Sequence, residues 1–197
     1  MKKIAHLLSL ALLIFLTGCA SSKMMQVPEG TNPLAPDAEK ATIVFMRPSA
    51  FGGAIQSYVF QYDDKQPEFV GIVSTNYKIA YQVAPGKHLF MVMGENAGFL
   101  DADVTANHIY HVIVEPHMGF WAARFSLDPV PRDDLGTQDF KDDLAECHFV
   151  TNTPESLEWF EGKKDAVEAK YNSYYPDWVA DPEDQHRLSK GDGLPME

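Results

Sequence analysis

The stretch NYKIAYQVAPGKHLFMVMG, residues 76–94, decides the fold class. Apolar or aromatic residues alternate with polar or small ones through its first half, and the apolar set is Tyr77, Ile79, Tyr81 and Val83. Such period-two alternation predicts a half-buried β-strand. Pro85 and Gly86 suit the two central positions of a type II turn, so the second half is expected to return as another strand.

Similar segments lie on both sides of this stretch. Together with residues 76–83 they form eight short strands with no helical pattern between them; the others are 41–47, 54–63, 68–74, 87–94, 99–105, 109–115 and 120–128. Their spacing of roughly 8–12 residues predicts a mainly β chain, an antiparallel β-sandwich of about seven to nine strands over residues 41–128.

The chain changes character after this region. Residues 132–146 are acidic, and Thr153 followed by Pro154 and Glu155 predicts a helix start. One helix face then collects Phe160, Lys164, Val167, Tyr171, Tyr174 and Trp178. We expect residues 129–180 to form an acidic linker and a C-terminal amphipathic helix over 154–175, interrupted or kinked near Gly162, that packs on the sandwich. Residues 181–197 are expected to be a polar, frayed tail.

The N-terminal residues indicate export. A short basic start precedes an apolar run and then small residues, which is the layout of a signal peptide over residues 1–18. Leu16-Thr17-Gly18-Cys19 resembles the bacterial lipobox. The resemblance implies cleavage between Gly18 and Cys19, acylation of Cys19 and, without an aspartate after it, an outer-membrane anchor with the protein facing the periplasm. An ordinary signal-peptidase site with an incidental thiol is the alternative.

The residues that follow Cys19 lack apolar periodicity. Residues 19–40 contain three prolines and a glycine, which predicts a lipidated N-terminus on a flexible tether. As a coil this tether would span about 25 Å.

The charge of the chain restricts its partners. The net charge is −12 and becomes about −14 once Lys2 and Lys3 leave with the signal peptide. Nucleic acid is not expected as a partner, because its binding depends largely on lysine and arginine. After acylation of Cys19 only Cys147 remains as a thiol, so no intramolecular disulfide is expected.

Residues of about 40–128 resemble a known family. The segments ATIVFMRPSAFGGAIQSYVFQYDDK, VAPGKHLFMV and ANHIYHVIVEP are similar to an uncharacterised lipoprotein domain of Gram-negative bacteria. The matching positions are Arg47-Pro48, Asp63-Asp64, Pro85-Gly86-Lys87-His88 and Tyr110. The resemblance implies a PEGA-like β-sandwich of unknown function, with no catalytic residues assigned to it.

Candidate metal and catalytic residues are few. His108 and His111 would point to opposite faces of one strand, and no CxxC or HExxH pattern occurs, so no metal or cofactor is predicted. Whether distant histidines meet remains open; these are His88, His108, His111, His117 and His148. His88 is expected to cap or pack the turn at Pro85 and Gly86.

A catalytic site is not expected either. No GxSxG motif occurs. Asp101 and Asp103 share a strand face about 7 Å apart and are interpreted as the solvated face of an edge strand. The chain is therefore predicted not to be an enzyme, and an envelope hydrolase is the less favoured alternative.

One apolar patch is the candidate interaction site. Met118, Phe120 and Trp121 lie within four consecutive residues. If exposed, they would form a binding surface; if buried, which is the favoured interpretation, they would anchor the C-terminal helix. The predicted function is an interaction or envelope-maintenance module with an envelope protein as partner. A small-ligand binder using aromatic faces is the alternative.

Overall fold

The computed structural model describes residues 23–49, 51–63, 66–120 and 123–196, and within them the chain is mainly β, as predicted. Twelve strands occur in these ranges: β1 Met25–Gln26, β2 Ala41–Arg47, β3 Ser57–Gln61, β4 Glu68–Val73, β5 Tyr77–Val83, β6 Gly86–Met93, β7 Ala97–Val104, β8 His108–Met118, β9 Ala123–Pro129, β10 His148–Thr151, β11 His186–Leu188 and β12 Leu194–Pro195. Residues 54–56, expected in a strand, precede β3 instead.

The strands form two sheets. The first has seven strands in the order β1-β10-β5-β2-β8-β12, with β9 also paired to β8, and the second has the order β11-β7-β6-β3-β4. The expectation of a purely antiparallel sandwich is wrong, because three pairs are parallel: β2 with β8, β5 with β10, and β7 with β11. The chain between β2 and β8 supplies the long crossover that a parallel pair requires.

The turn at Pro85 and Gly86 does not close a hairpin. β5 belongs to the first sheet and β6 to the second, so this turn carries the chain across the sandwich. Gly86 has a φ of 126°, a conformation that residues with a side chain rarely adopt. β6 pairs instead with β7 and with β3.

Helices cover the outer faces of both sheets. They are α1 Gln138–Glu146, α2 Pro154–Glu161 and α3 Lys164–Ala180, and short 3₁₀ turns lie at Arg132–Gly136, Pro182–Asp184 and Lys190–Asp192. α1 packs on the first sheet around Met46, while α2 and α3 pack on the second sheet around Phe60. The chain between α2 and α3 is non-helical at residues 162–163.

The central strand β2 is covered on one face by the second sheet and on the other by α1. All seven of its residues are buried. Ile43 and Phe45 lie in the core between the sheets, whereas Met46 faces the cluster under α1. A strand buried on both faces reads as a continuous apolar run, which is why ATIVFM shows no alternation.

A lysine on β5 is buried by the same helix. Lys78 lies on the face of β5 opposite the core, and its Nζ donates to the carbonyl oxygen of Leu144 over 2.5 Å. The ammonium also lies 4.6 Å from the centre of the Phe149 ring. Burial lowers the pKa of Lys78.

The segment expected to be a tether contacts the folded body from Lys23 onward. Met24 is buried in the main core, β1 pairs with β10, and the N–H of Val27 donates to the carbonyl oxygen of Phe149 over 3.0 Å. The backbone of Lys40 accepts a further hydrogen bond from Asn107. Residues 23–27 are therefore held to the body and are not a free tether, whereas most of residues 28–39 are exposed. Residues 19–22 lie outside the described ranges.

The expected frayed tail is also part of the fold. β11 pairs with β7 in the second sheet, and β12 pairs with β8 in the first. Leu188 is buried in the main core, because β11 brings it beside β7. None of the helices in the described ranges has the length and apolar character needed to span a bilayer.

Candidate functional site

The hairpin of β8 and β9 carries the most exposed large apolar side chains of the described residues. Met118 is 83% exposed and Phe120 is 79% exposed. Phe51, from the loop after β2, is 50% exposed and lines a hollow of about 270 Å³ together with them. We call Phe51, Met118 and Phe120 the apolar tip. Burial of the patch, the favoured expectation, is wrong for Met118 and Phe120, and Trp121 lies outside the described ranges.

Arg47 fixes the loop that carries Phe51. Its Nη1 donates to the carbonyl oxygen of Ile55 over 2.7 Å, and its Nη2 lies 3.0 Å from the carbonyl oxygens of Phe51 and Gly52. The guanidinium is fully buried over the ring of Phe125, 4.8 Å from its centre. A fork of five N–H donors can hold several carbonyl groups in one geometry, so the loop is clamped to the end of β2.

Glu95 holds the hairpin from the opposite side. Its Oε1 accepts from the backbone N–H of Phe120 over 3.0 Å and lies 3.4 Å from Nε of Arg124. The backbone N–H of Glu95 donates to the carbonyl oxygen of Ala123 over 3.0 Å. Lys170 of α3 donates to the carbonyl oxygen of Glu95. The apolar tip is therefore supported by a buried cation on one side and by the second sheet and α3 on the other.

A groove adjoins the apolar tip between β9 and the end of α3. It encloses about 570 Å³, and its aromatic and imidazole lining consists of Phe99, His117, Phe125, Tyr174, Trp178 and His186. His117 Nε2 lies 2.7 Å from the Ser126 hydroxyl, and His186 Nδ1 lies 2.8 Å from Asp128 Oδ1 and 2.9 Å from the carbonyl oxygen of Leu127. We call this space the aromatic groove.

A second hollow lies on the other side of α3. It encloses about 550 Å³, and Tyr62, His88, Tyr171 and Tyr175 are among its lining residues. The rings of Tyr62 and Tyr171 stack with centres 4.1 Å apart. Burial, together with nearby Glu168 and Tyr171, raises the pKa of Tyr62 to about 12. The ring contacts are those of packing between β3 and α3.

His88 lies against the turn at Pro85 and Gly86. Its Nε2 lies 2.7 Å from the carbonyl oxygen of Ala84, and its Nδ1 lies 2.6 Å from Asp63 Oδ2. Both ring nitrogens therefore face oxygen acceptors. The imidazole joins the turn between the sheets to the end of β3, which is a structural arrangement.

The histidines do not converge. Within the described ranges no three His, Cys, Asp or Glu side chains are placed to hold a metal ion. His108 Nδ1 lies 2.8 Å from the carbonyl oxygen of Ala106, and His148 is exposed at the start of β10. His111 is buried against Phe140, with ring centres 5.1 Å apart.

The remaining candidate groups are placed as follows. Asp101 and Asp103 lie on β7, which is not an edge strand because β11 pairs along it, and Asp103 lies 3.4 Å from Lys190. Asp101 borders the hollow beside His88. Cys147 is buried, and its burial raises the pKa of the thiol to about 11. Gly18 and Cys19 lie outside the described ranges.

No model of a known protein family matches this chain, and a search of curated proteins finds no match.

The sequence pattern identified two members of the apolar tip and missed the third. Phe51 follows Arg47-Pro48 in a loop without periodicity, so it carried no signal of its own. The available signal was Arg47, an arginine at the end of a strand that is otherwise apolar. A buried arginine requires several acceptors, and nearby loop carbonyl groups can supply them.

Proposed function

We propose that this chain is a bacterial lipoprotein, anchored in the outer membrane through acylated Cys19 and facing the periplasm, whose folded body is a non-catalytic module that binds an envelope protein through the apolar tip. The anchor rests on the resemblance of Leu16-Thr17-Gly18-Cys19 to a lipobox. The binding role rests on one observation, the exposure of Met118 and Phe120 on a clamped hairpin. Exposed apolar clusters of this kind are typical of interaction sites.

The hydrogen bonds that hold the backbone of the apolar tip favour binding. Arg47 and Glu95 hold its backbone on opposite sides, so the cost of ordering the loop on binding is small. Phenylalanine and methionine are enriched at protein interfaces. The net charge of −12 disfavours anionic surfaces, which leaves an apolar protein surface as the occupant that we propose.

Two finer features of the fold belong to this proposal. α3 serves as an amphipathic C-terminal helix, supported by the burial of Val167 and the packing of Tyr171 and Trp178 on the second sheet. The family resemblance of residues 40–128 supports a PEGA-like interaction module, and the two mixed sheets are compatible with it.

Site-specific photocrosslinking in intact cells tests the binding role. A benzophenone side chain at Met118 should give a discrete adduct with an envelope protein. The same group at Val179, an exposed apolar residue of α3, should not give it. The adduct at position 118 should also disappear in Phe51→Ser and persist in Leu157→Ser. Adducts of equal yield at positions 118 and 179, or an adduct at position 118 that persists in Phe51→Ser, would contradict the proposal.

The aromatic groove supports a second candidate function, binding of a small polar ligand. The indole Nε1 of Trp178 is buried without a hydrogen-bond partner among the described residues, and this tryptophan borders the groove. A neutral sugar stacks on aromatic rings and offers acceptor oxygens to such a donor. Titration with chitotriose should quench tryptophan fluorescence saturably, and Trp178→Phe should abolish the change. A linear response, or one unchanged in Trp178→Phe, would reject this candidate.

A further inference from the structure

Lys23, four residues after the proposed anchor, is already held to the folded body. The carbonyl oxygen of Lys23 accepts a hydrogen bond from the Thr153 hydroxyl, and Met24 is buried in the core between the sheets. Met25 and Gln26 then pair with β10. Three different contacts thus hold the chain to the body from Lys23 onward. Four residues span at most about 14 Å, even when fully extended.

This distance determines which part of the body can lie near lipid. β1 is the edge strand of the first sheet, and α2 starts directly after Thr153. Two exposed apolar side chains accompany this point. Met25 is 50% exposed on β1, and Leu157 is 47% exposed on α2, where its N–H donates to the carbonyl oxygen of Thr153. We call Lys23, Met25 and Leu157 the junction face.

The apolar tip lies at the other edge of the same sheet. From β1 the order runs through β10, β5, β2 and β8 to β9. Five steps of about 4.8 Å separate the two edges by roughly 24 Å. The tip lies further out along β8 as well. Met118 lies five residues beyond Ile113, the last residue of β8 that pairs with β2. These five residues place Met118 about 17 Å farther along the strand direction than Ile113.

We propose that the junction face rests on the bilayer that holds the acyl chains, and that the apolar tip is directed away from this bilayer toward a partner in the periplasm. The inference rests on the proposed function, because it requires acylation at Cys19. It adds the orientation of the body and assigns the two exposed apolar surfaces to different occupants, lipid for the junction face and protein for the apolar tip.

Charge and burial are consistent with this assignment. Lys23 is the only cation of the junction face, and the body as a whole is acidic, so electrostatic attraction to anionic lipid is weak. The short connection therefore determines the orientation. Met25 and Leu157 need only reach the headgroup boundary, where half-exposed apolar side chains are stabilised.

Nitroxide labelling of the acylated full-length protein tests the orientation. Cysteine replaces Met25, Leu157 or Met118 one at a time, and the native Cys147 stays unlabelled because it is buried. The labelled proteins are reconstituted in vesicles of phosphatidylethanolamine and phosphatidylcholine. Collisions with a water-soluble nickel chelate should fall severalfold at positions 25 and 157 relative to the soluble Cys19→Ala protein. They should remain unchanged at position 118.

A variant with a longer connection provides the matched control. An insertion of about ten glycine and serine residues between Ser22 and Lys23 adds roughly 17 Å of coil. Labels at positions 25 and 157 should then become accessible while the protein stays in the vesicle fraction. Protection that survives the insertion would show that the bilayer contact does not depend on the short connection, and would overturn the inference.

The remaining outcomes separate the inference from the function on which it rests. Mass spectrometry of the N-terminal peptide reports acylation directly. If Cys19 carries no acyl chains, both the anchor and the orientation are rejected. If Cys19 is acylated but position 118 is protected, or positions 25 and 157 are as accessible as in the soluble protein, only the orientation is rejected.

Discussion

The guanidinium of Arg47 donates from Nη2 to the carbonyl oxygen of Phe51 over 3.0 Å, so a fully buried cation positions a half-exposed aromatic side chain. The same guanidinium reaches the carbonyl oxygens of Gly52 and Ile55. Burial lowers the pKa of Arg47, and the carboxylate of Glu115 partly offsets the effect. The surface that we propose for binding therefore depends on a residue that solvent does not reach.

Arg47→Lys tests this dependence. Lysine keeps the charge but cannot form the fork, so some of the hydrogen bonds to the loop are lost. We expect the free energy of unfolding to fall by about 2–3 kcal/mol. Hydrogen exchange should rise at the amide of Ile55, which donates to the carbonyl oxygen of Gly52. Urea unfolding and exchange mass spectrometry provide the measurements. The exposed Arg187→Lys is the control, and equal effects in the two variants would contradict the role of Arg47.

Val167→Asp should release α3 from the second sheet. Val167 is fully buried beneath the helix, and an aspartate there would be a buried charge without a partner. We expect a loss of at least about 2 kcal/mol in the free energy of unfolding. Val179→Asp, in the same helix at a half-exposed position, should change it by less than about 1 kcal/mol. Similar losses in both variants would show that α3 is not anchored at Val167.

His111 should make stability depend on pH. Burial and the nearby Lys78 ammonium lower the pKa of His111 to about 4. In the unfolded chain the imidazole takes up a proton below about pH 6.5, whereas in the folded protein it stays neutral until about pH 4. Stability is therefore lost as the pH falls through this window, by about 3 kcal/mol in total.

Urea unfolding between pH 7 and pH 4 measures this loss. His111→Leu should reduce the pH dependence over that range, because the residue that replaces it cannot titrate. The exposed His148→Leu should leave the dependence unchanged. A pH dependence that is the same in wild type and His111→Leu would assign the effect to other groups.

Gly98→Ala should strain the contact between β7 and β9. A Cβ at Gly98 would lie 2.6 Å from the backbone carbonyl oxygen of Phe125, which cannot move as a side chain could. We expect a destabilisation of about 1–3 kcal/mol in thermal or urea unfolding. Gly136→Ala adds the same methyl group where nothing lies within 4 Å, and its effect should be below about 0.5 kcal/mol. A neutral Gly98→Ala would mean that the two strands can separate without cost.

Cys19→Ala tests the anchor itself. We expect loss of acylation and loss of the protein from the membrane fraction, because the acyl chains supply the hydrophobic attachment. The body should still fold, since the contacts that hold the N-terminal part of the described chain to the core involve Lys23 and Met24 and not Cys19. Fractionation with a carbonate wash and circular dichroism measure the two properties. Retention on the membrane after the wash would contradict the proposed anchor.

The local residue pattern predicted the positions of the strands better than it predicted which strands pair with each other. The predicted strand 41–47 coincides with β2, and 76–83 differs from β5 by one residue. The alternation that marks a strand is a local property. Whether the short link at Ala84 and Pro85 closes a hairpin or crosses between sheets depends on distant strands, so the purely antiparallel arrangement was predicted wrongly.

The strands at the two ends of the folded body were not predicted from the sequence, for a related reason. β1 has two residues and β11 has three, too few to show any periodicity. Prolines and polar residues around them favoured tether and tail interpretations. Their pairing depends on β10 and β7, which offer free edges only after the sheets have assembled.

The candidate site was predicted in part. Met118 and Phe120 were identified because several large apolar residues lie within four consecutive positions, although burial rather than exposure was the favoured interpretation. Phe51 and its support by Arg47 were missed, because this contact depends on side-chain hydrogen bonds that a residue pattern does not encode.

The late strands have a consequence for the order of folding. β1 pairs with a strand more than 120 residues away in the sequence, and the edges of β7 and β8 are completed by residues 186–195. Contacts between such distant residues close slowly, because the entropy of a large loop must be lost first. A chain that has not yet released residues 186–195 from the ribosome lacks both closing strands. The complete body can therefore assemble only after residues 186–195 have been synthesised and have paired with β7 and β8.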